Sequence, residues 1–470
     1  MPINPANSTP TVASIRIPMA MEAKVCIAGP YRIAGLVSSP RVREPTWASL
    51  HPPKLTSFHV PVWSVRAGHK AIATPAANKA RGGNMKRRHI FTTVFAALLG
   101  MTLWGTGARA ADDTIKIGYI DPFSGAFAAG GDASLKMFQF IVDNVNARGG
   151  ALGKKFELVT FDDKLQPAEA LIALKSVTDQ NMPFVMSCVG SNVGAALIDG
   201  VNKHNERDPD NRVLLLNCGQ LADELTNEQC SFWHFRFAGS VGMRAVARIK
   251  SLPKTLKTVY LMNQDYLFGQ SIQKDTKKYL AEFRPDIKIV GDEMIPLMQV
   301  KDFSPYITKI KASGAESLLT GNYGPDLALL IKAGVDAGLN IRYDTFLGHV
   351  IGAPTAIGGA ADGRMTSVME IHDNIAVEEH NAGYEDFVKK WRATHDFGFI
   401  AINSVTQFDM MVRAINAAGS TDPVKVALQL EGMQQKDMLG ADNVMRKEDH
   451  QLINPYFEAV LTKGQTYDVE

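Results

Sequence analysis

Residues 188–196, CVGSNVGAA, place one hydroxyl among small residues where an apolar strand stops and a helix starts. Three kinds of chemistry fit such a stretch: nucleophilic attack by the serine, cradling of a nucleotide phosphate, or binding of an anion that is released unchanged. A nucleophile elbow needs Gly-x-Ser-x-Gly, but Gly190 directly precedes Ser191, so the spacing is one residue short. The stretch also lacks the Lys of a phosphate loop and a G-x-G-x-x-G turn. These features favour an anion site.

The start of the helix explains why an anion would bind here. Backbone N–H groups at a helix N-terminus have no partner within the helix, and the dipole is positive at that end. The Ser191 hydroxyl adds one more donor, so a carboxylate would suit the site. The alternative is that Ser191 only caps its helix, although capping alone does not require Gly190 and Gly194 around it.

Residues for catalysis or metal binding do not form a recognisable pattern. His204, His234, His349 and His372 are scattered without the order of a hydrolase triad, and no cysteine or histidine spacing indicates a metal. We therefore predict a protein that is not an enzyme and has no cofactor, and we keep a serine hydrolase acting through Ser191 as the alternative.

Alternating strands and helices must position these residues. Apolar runs such as TIKIGYI, FELVTF, PFVMSC and RVLLLN are separated by amphipathic segments at about 134–147, 167–179 and 193–203. The rhythm restarts after FWHFRF, with helices predicted near 269–283, 303–312 and 326–338, and again near 384–394, 402–418 and 423–430. Strands that are buried on both faces indicate parallel sheets. The predicted fold is α/β, with two doubly wound parallel-sheet lobes.

The strand-end loops of two such lobes would line one cleft, because ligands of open α/β sheets lie beyond the carboxyl ends of the strands. The residues that we expect there are Phe123, Ser191, Asn192, Gly219, Leu221, Asp265, Phe268, Tyr323, His349 and Val350. Aromatic residues recur at these strand ends and would form an apolar wall. The alternative is that each aromatic ring belongs to the core.

The N-terminal part of the chain carries an export pattern. MKRRHIFTTVFAALLGMTLWGTGARA, residues 85–110, has a basic start, a short apolar run and the small-x-small sequence Ala108-Arg109-Ala110, which together are typical of a signal peptide. A membrane anchor and a twin-arginine export route are alternatives. We interpret residues 1–84 as a translation start placed too far upstream or a disordered extension, and predict a mature domain at 111–470.

Charge and cysteine content agree with export. Residues 1–110 hold 14 basic and two acidic residues, so against the total of +2 the rest of the chain carries about −10, and we expect no nucleic acid partner for so acidic a chain. Cys218 and Cys230 lie twelve positions apart, and exported proteins meet an oxidising compartment. We predict a disulfide between these two cysteines; the alternative is that they and Cys188 are reduced and buried.

Long stretches of the sequence resemble one family, the type I periplasmic solute-binding proteins of ABC transporters in their branched-chain amino acid branch. The resemblance covers residues 112–463 and rests on IKIGYIDPFSGAFAAGGDASLKM, VNARGGALGKKFELVTFDDKLQPAEAL, CVGSN, ADELT, NQDYLFGQS, DFSPYITKIKASGAESLLTGNYGPDLALLIKAGVDAGL and HQLINPYFEAVL. It implies a periplasmic monomer that delivers a small ligand to a membrane permease. It also implies a three-crossing hinge, with lobe 1 at about 111–236 and 373–438 and lobe 2 at about 237–372 and 439–470.

The resemblance also assigns roles to single residues. Ser191 matches a serine that holds the ligand carboxylate, Gly219 and Leu221 lie where a threonine is usual, and Tyr323 and Phe268 match ligand-facing aromatic positions. The departure is at 349–351, His-Val-Ile, where amino-acid binders place an acid for the ligand ammonium. Losing that charge-assisted hydrogen bond costs about 1.5–3 kcal/mol.

The departure leads to a hypothesis about the cargo. We expect that the site still recognises a carboxylate but recognises an amine less well. This expectation favours an aromatic or aliphatic acid or an amide as the ligand. Asp265 could instead pair with the ammonium group, in which case leucine would still bind. The alternatives are a ligand-sensing receptor of the same fold and, more remotely, a periplasmic serine hydrolase.

Overall fold

The structure, a computed structural model, describes residues 114–350, 352–463 and 465–467. The predicted signal peptide at 85–110, the segment 1–84, the mature N-terminus at 111 and Ile351 lie outside the described residues. These parts of the sequence analysis stay predictions.

The elements alternate between strands and helices for most of the described chain. The strands are β1 (Thr114–Asp121), β2 (Lys155–Asp162), β3 (Phe184–Ser187), β4 (Leu214–Asn217), β5 (His234–Arg236), β6 (Thr258–Gln264), β7 (Lys288–Ile295), β8 (Ser317–Thr320), β9 (Arg342–Thr345), β10 (Met365–Met369), β11 (Gln434–Lys436), β12 (Asp442–Met445), β13 (Leu452–Ile453) and β14 (Phe457–Val460). The helices are α1 (Ala128–Ala147), α2 (Pro167–Asp179), α3 (Ser191–Arg207), α4 (Val241–Ser251), α5 (Leu267–Phe283), α6 (Ser304–Ser313), α7 (Gly324–Asp336), α8 (Ala353–Ile357), α9 (Asp373–Glu378), α10 (Ala382–Arg392), α11 (Ile402–Ala418) and α12 (Pro423–Leu430).

The first lobe is built on a five-stranded parallel sheet in the order β2-β1-β3-β4-β5. Every residue of β3 and β4 is buried, as expected for strands that helices cover on both faces. Helix α1 begins at Ala128, earlier than the start predicted at about 134, and contains Gly130 and Gly131 in its first turns. Gly131 allows close packing, since a Cβ there would lie 2.2 Å from the carbonyl oxygen of Pro122.

The second lobe is built on a six-stranded sheet in the order β14-β10-β9-β8-β6-β7. All neighbours are parallel except β14, which pairs antiparallel to β10. Helix α7 begins with Gly324 and a proline in its first turn, where the missing N–H of proline costs nothing. The prediction of two parallel-sheet α/β lobes is confirmed.

The C-terminal third of the chain returns to both lobes. Trp391, Met411 and Leu430 share one apolar core with the first sheet, whereas β14 completes the second sheet. The chain therefore passes between the two sheets three times, after β5, after β10 and after β13. At one passage the backbone N–H of Arg236 donates to the carbonyl of His450 at 2.9 Å. Within the described ranges, no helix has the length and apolarity needed to cross a bilayer.

Candidate functional site

A cavity of about 200 Å³ lies where the strand ends of the two lobes meet. Seven of the predicted site residues line it, and further lining residues come from α1, α4, the end of β10 and the start of α11. The predicted residues in the cavity wall are Ser191, Gly219, Leu221, Phe268, Tyr323, His349 and Val350.

The turn between β3 and α3 presents Ser191 to this cavity. Gly190 has a φ of +84°, which favours glycine, and a Cβ there would lie 2.6 Å from a methyl carbon of Leu165. Ser191 is the first residue of α3 and is 2% exposed. Its Oγ accepts a hydrogen bond from the backbone N–H of Ala222 at 3.2 Å and does not cap the helix. Capping is therefore not the role of this hydroxyl.

A buried carboxylate holds the same turn against β1. Asp121 accepts hydrogen bonds from the backbone N–H of Cys188 at 3.2 Å and of Val189 at 2.9 Å, and from the Tyr119 hydroxyl at 2.6 Å. Burial raises the pKa of Asp121 to about 6, although these hydrogen bonds oppose the shift. Burial and the charge of Asp121 also raise the pKa of neighbouring Asp163 to about 7.

A disulfide joins the two strand-end loops of the first lobe. It links Cys188 to Cys218, with 4.6 Å between their Cα atoms, so the predicted bond between Cys218 and Cys230 is wrong. β3 and β4 are parallel neighbours with Ser187 opposite Asn217, and the residues after them are therefore adjacent. The prediction failed because it used the separation of the cysteines in the sequence, whereas the pairing of the strands sets the distance between them in space.

Aromatic side chains form much of the second-lobe wall. The hydroxyl of Tyr266 donates to that of Tyr323 at 3.3 Å, and the ring centroids of Phe268 and Tyr323 lie 6.2 Å apart. Leu221 is buried in the same apolar cluster from the first-lobe side. Tyr266, Phe268 and Tyr323 therefore give this part of the cavity an apolar wall that contains one hydroxyl pair.

The loop after β9 contributes an uncharged imidazole. His349 Nδ1 lies 2.7 Å from the Ser367 hydroxyl. Burial, and then the nearby charge of Arg244, holds the pKa of His349 well below its usual value. His349 is therefore neutral at pH 7.

The cavity wall also contains an ion pair that we did not predict from the sequence. Arg244 of α4 donates through Nη2 to Glu370 Oε1 at 2.6 Å and through Nη1 to the carbonyl of Val368 at 3.0 Å. The Tyr456 hydroxyl donates to the same Glu370 oxygen at 3.0 Å. The side chains of Arg244 and Glu370 are only 5% and 10% exposed. The available signal was one charged residue beside apolar residues in each segment, Arg244 in VGMRAVA and Glu370 at the end of MTSVME.

Comparison with known proteins gives the family of the chain. A family model described as "Periplasmic binding protein" matches residues 114–466, three quarters of the sequence. This chain belongs to the periplasmic binding protein family. A relative from Brucella abortus (strain 2308), named Leu/Ile/Val-binding protein homolog 4, is 26% identical over 373 residues, which cover 77% of this chain and 87% of the relative. Family members are periplasmic, and this relative is named as a binding protein, not as an enzyme.

Two solved structures share the fold of this periplasmic binding protein. One is a leucine-, isoleucine-, valine-, threonine-, and alanine-binding protein from Brucella ovis in a closed conformation, with a TM-score of 0.67 and 24% identity over 75% of this chain and 91% of that one. The other is a solute binding protein of an ABC transporter from R. palustris in complex with benzoate, with a TM-score of 0.64 and 20% identity over 75% and 94%.

Three residues expected at the ligand site of this periplasmic binding protein lie outside the cavity wall. Asn192 is exposed, and its Oδ1 accepts from the backbone N–H of Leu267 at 3.3 Å. Phe123 packs edge-on against Tyr119 with 5.4 Å between ring centroids. Asp265 is exposed and accepts from Gln270 at 3.0 Å. Each follows a strand end, but its side chain is used for packing or surface contacts.

Ser191 has no histidine partner among the described residues. Ser191 pairs with a backbone N–H, and the only histidine in the cavity wall pairs with Ser367. A search of the same described ranges finds no group of three or more His, Cys, Asp or Glu residues that could hold a metal ion.

Proposed function

We propose that this periplasmic binding protein captures a small solute bearing a carboxylate in the cavity between its lobes. We further propose that it acts as a monomer, is exported by the signal peptide at 85–110, and delivers the solute to the permease of an ABC transporter. Hinge closure around the solute would present the closed form to the permease.

The observation that carries this proposal is the position of Ser191 in the cavity wall, at the first residue of the 17-residue helix α3. The first N–H groups of a helix have no partner within it and favour an anion. Because the Ser191 oxygen accepts from Ala222, its own O–H remains able to donate to a ligand. Together these donors suit a carboxylate.

The electrostatics of the remaining wall support the same proposal. Arg244 and Glu370 neutralise each other, and His349 is uncharged. The described residues of the cavity wall therefore include no negative charge without a positive partner, so the wall does not repel an anionic ligand. Similar proteins are named for binding leucine, isoleucine and valine or were solved in complex with benzoate, and all of these ligands carry a carboxylate. We place the cargo of this protein among branched-chain amino acids and related aliphatic or aromatic acids.

A thermal-shift panel tests the proposal with leucine, valine, hydroxybenzoates, benzoate and small amides. A ligand at about 100 times its dissociation constant stabilises the native state by roughly 2.7 kcal/mol, which is readily measured. At least one acid should shift the melting temperature, whereas a panel without any shift contradicts the proposal.

The variant Ser191→Ala tests whether Ser191 binds the carboxylate of the solute. Loss of one hydrogen bond to a charged group should weaken binding of the active acid by about 10- to 100-fold. Ser176→Ala is the matched control, because Ser176 is a partly exposed serine on α2, away from the cavity wall, whose hydroxyl donates to the carbonyl of Ile172. An unchanged affinity in Ser191→Ala would show that the carboxylate binds elsewhere.

A further inference from the structure

The second-lobe wall contains charged groups that carboxylate binding does not use. Arg244 and Glu370 are the only charged side chains among the described residues that line the cavity. They come from α4 and from the end of β10, which are 126 residues apart in the chain. Burying such a pair is costly unless its hydrogen bonds are well satisfied, so the hydrogen bonds of each group are informative.

The two carboxylate oxygens of Glu370 are engaged unequally. Oε1 accepts from both Arg244 Nη2 at 2.6 Å and the Tyr456 hydroxyl at 3.0 Å. Among the described residues, none donates a hydrogen bond to Oε2. A carboxylate oxygen has room for about two donors, and Glu370 lines the cavity. The unused acceptor capacity is therefore at the wall of the ligand cavity.

We propose that Glu370 is the ligand-facing acid of this cavity and selects solutes that carry an N–H or O–H donor in addition to their carboxylate. This inference rests on the proposed function, because it concerns the end of the solute opposite Ser191. An ammonium group and a phenolic hydroxyl are two sources of the same donor chemistry. Glu370 thus takes the role that the sequence resemblance assigned to the loop at 349–351.

Arg244 is a positioning residue in this arrangement. Its Nη1 and Nη2 are held by Val368 and Glu370, its guanidinium lies 5.3 Å from the centre of the Tyr456 ring, and its Nε is buried without a partner. The donors for a ligand carboxylate are already present at the start of α3. Arg244 fixes the Glu370 side chain and offsets its charge, while the acceptor capacity of Glu370 is left for the solute.

Glu370→Gln tests the inference with matched ligand pairs. Arg244 and Tyr456 should hold the amide oxygen in the position of Oε1, which places an NH₂ donor where Oε2 accepts. The pairs are leucine with 4-methylpentanoate, and 4-hydroxybenzoate with benzoate, and affinities are measured by calorimetry on the purified protein. In the wild type the donor-bearing member of at least one pair should bind more tightly, and the variant should weaken that member by roughly 10- to 100-fold. The pair that responds identifies the donor as ammonium or hydroxyl.

Glu458→Gln is the matched control. Glu458 also pairs with a buried arginine of α4, Arg248, at 2.8 Å, but it does not line the cavity. It should leave the preference within each pair unchanged. If Glu370→Gln does not fold, Glu370→Asp replaces it, because aspartate keeps the charge on a side chain that is one methylene shorter. The carboxylate then lies farther from the ligand, and the preference for the donor-bearing ligand should be smaller.

The outcomes separate the two proposals. Acids that bind without any preference for a donor, or a preference that survives in Glu370→Gln, overturn the inference and leave the proposed function standing. Tighter binding of the donor-free acid by Glu370→Gln would instead show that Arg244 holds the carboxylate, and also overturns it. If the wild type binds none of the acids, the proposed function itself fails.

Discussion

The two walls of the cavity are built in different ways. Around the start of α3, the first-lobe wall offers backbone groups, the Ser191 hydroxyl and a disulfide from two short loops, 188–191 and 218–221, and side chains of α1 and of the start of α11 complete this wall. The second-lobe wall uses side chains from distant segments, including Tyr266, Arg244, His349 and Glu370. A wall of backbone donors suits a group common to many solutes, whereas a wall of side chains can change from one family member to another. The comparison suggests that the first lobe fixes the carboxylate and the second lobe sets the choice of solute.

The largest expected effect is on the second wall, in Arg244→Met. Removing the cation leaves Glu370 in a poorly exposed site without its charge partner, which should reduce the free energy of unfolding by about 3–5 kcal/mol. Urea unfolding of the purified protein measures this. Adding Glu370→Gln to Arg244→Met should recover most of the loss, since the uncompensated charge is then gone. A loss below about 1 kcal/mol in the single variant would show that the pair is solvated.

The next effect is on the first wall, in the double variant Cys188→Ala and Cys218→Ala. Removing a disulfide that closes a 30-residue separation should cost about 2–4 kcal/mol of stability. Ligand affinity should fall as well, because the bond holds together the loops that carry Ser191 and Gly219. The measurements are urea unfolding and calorimetry. Two reactive thiols at positions 188 and 218 in the oxidised wild type would contradict the pairing.

The smallest effect concerns the carboxyl groups behind the first wall. Because burial raises the pKa of Asp163 to about 7, native protein between about pH 4 and pH 7 holds a proton that the unfolded chain releases. The contribution of Asp163 to the free energy of unfolding therefore falls as the pH rises from about 4 to about 7. The asparagine side chain does not titrate, so the stability of Asp163→Asn relative to wild type should rise from pH 5 to pH 8 by roughly 2–3 kcal/mol.

Asp162→Asn is the control for this pH dependence. Hydrogen bonds from Ser124, Lys164 and Phe123 outweigh the effect of burial and lower the pKa of Asp162. Its stability difference from wild type should therefore stay constant between pH 5 and pH 8 in urea unfolding. A constant difference in Asp163→Asn as well would show that Asp163 does not hold a proton in this range.

The same contrast explains what the sequence could predict. Helices α11 and α12 have the predicted bounds, because an amphipathic period and a proline start are local signals. The position of Ser191 in the cavity wall was predictable for the same reason, since a strand, a glycine turn and a helix start follow one another. The Cys188–Cys218 bond and the Arg244–Glu370 pair depend on which strands and helices become neighbours. The spacing of residues along the chain does not indicate which elements become neighbours in space. It also does not indicate that the side chains of Asn192 and Phe123 make contacts outside the cavity.

The most direct test of the account compares an acid with its own amide by calorimetry on the wild-type protein and Ser191→Ala. Leucine with leucinamide and benzoate with benzamide differ only in the group that the start of α3 would bind. We predict that the wild type binds the acid of the active pair at least about tenfold more tightly than the amide, and that this difference is smaller in Ser191→Ala. Equal affinity for acid and amide in the wild type would contradict a carboxylate site at Ser191.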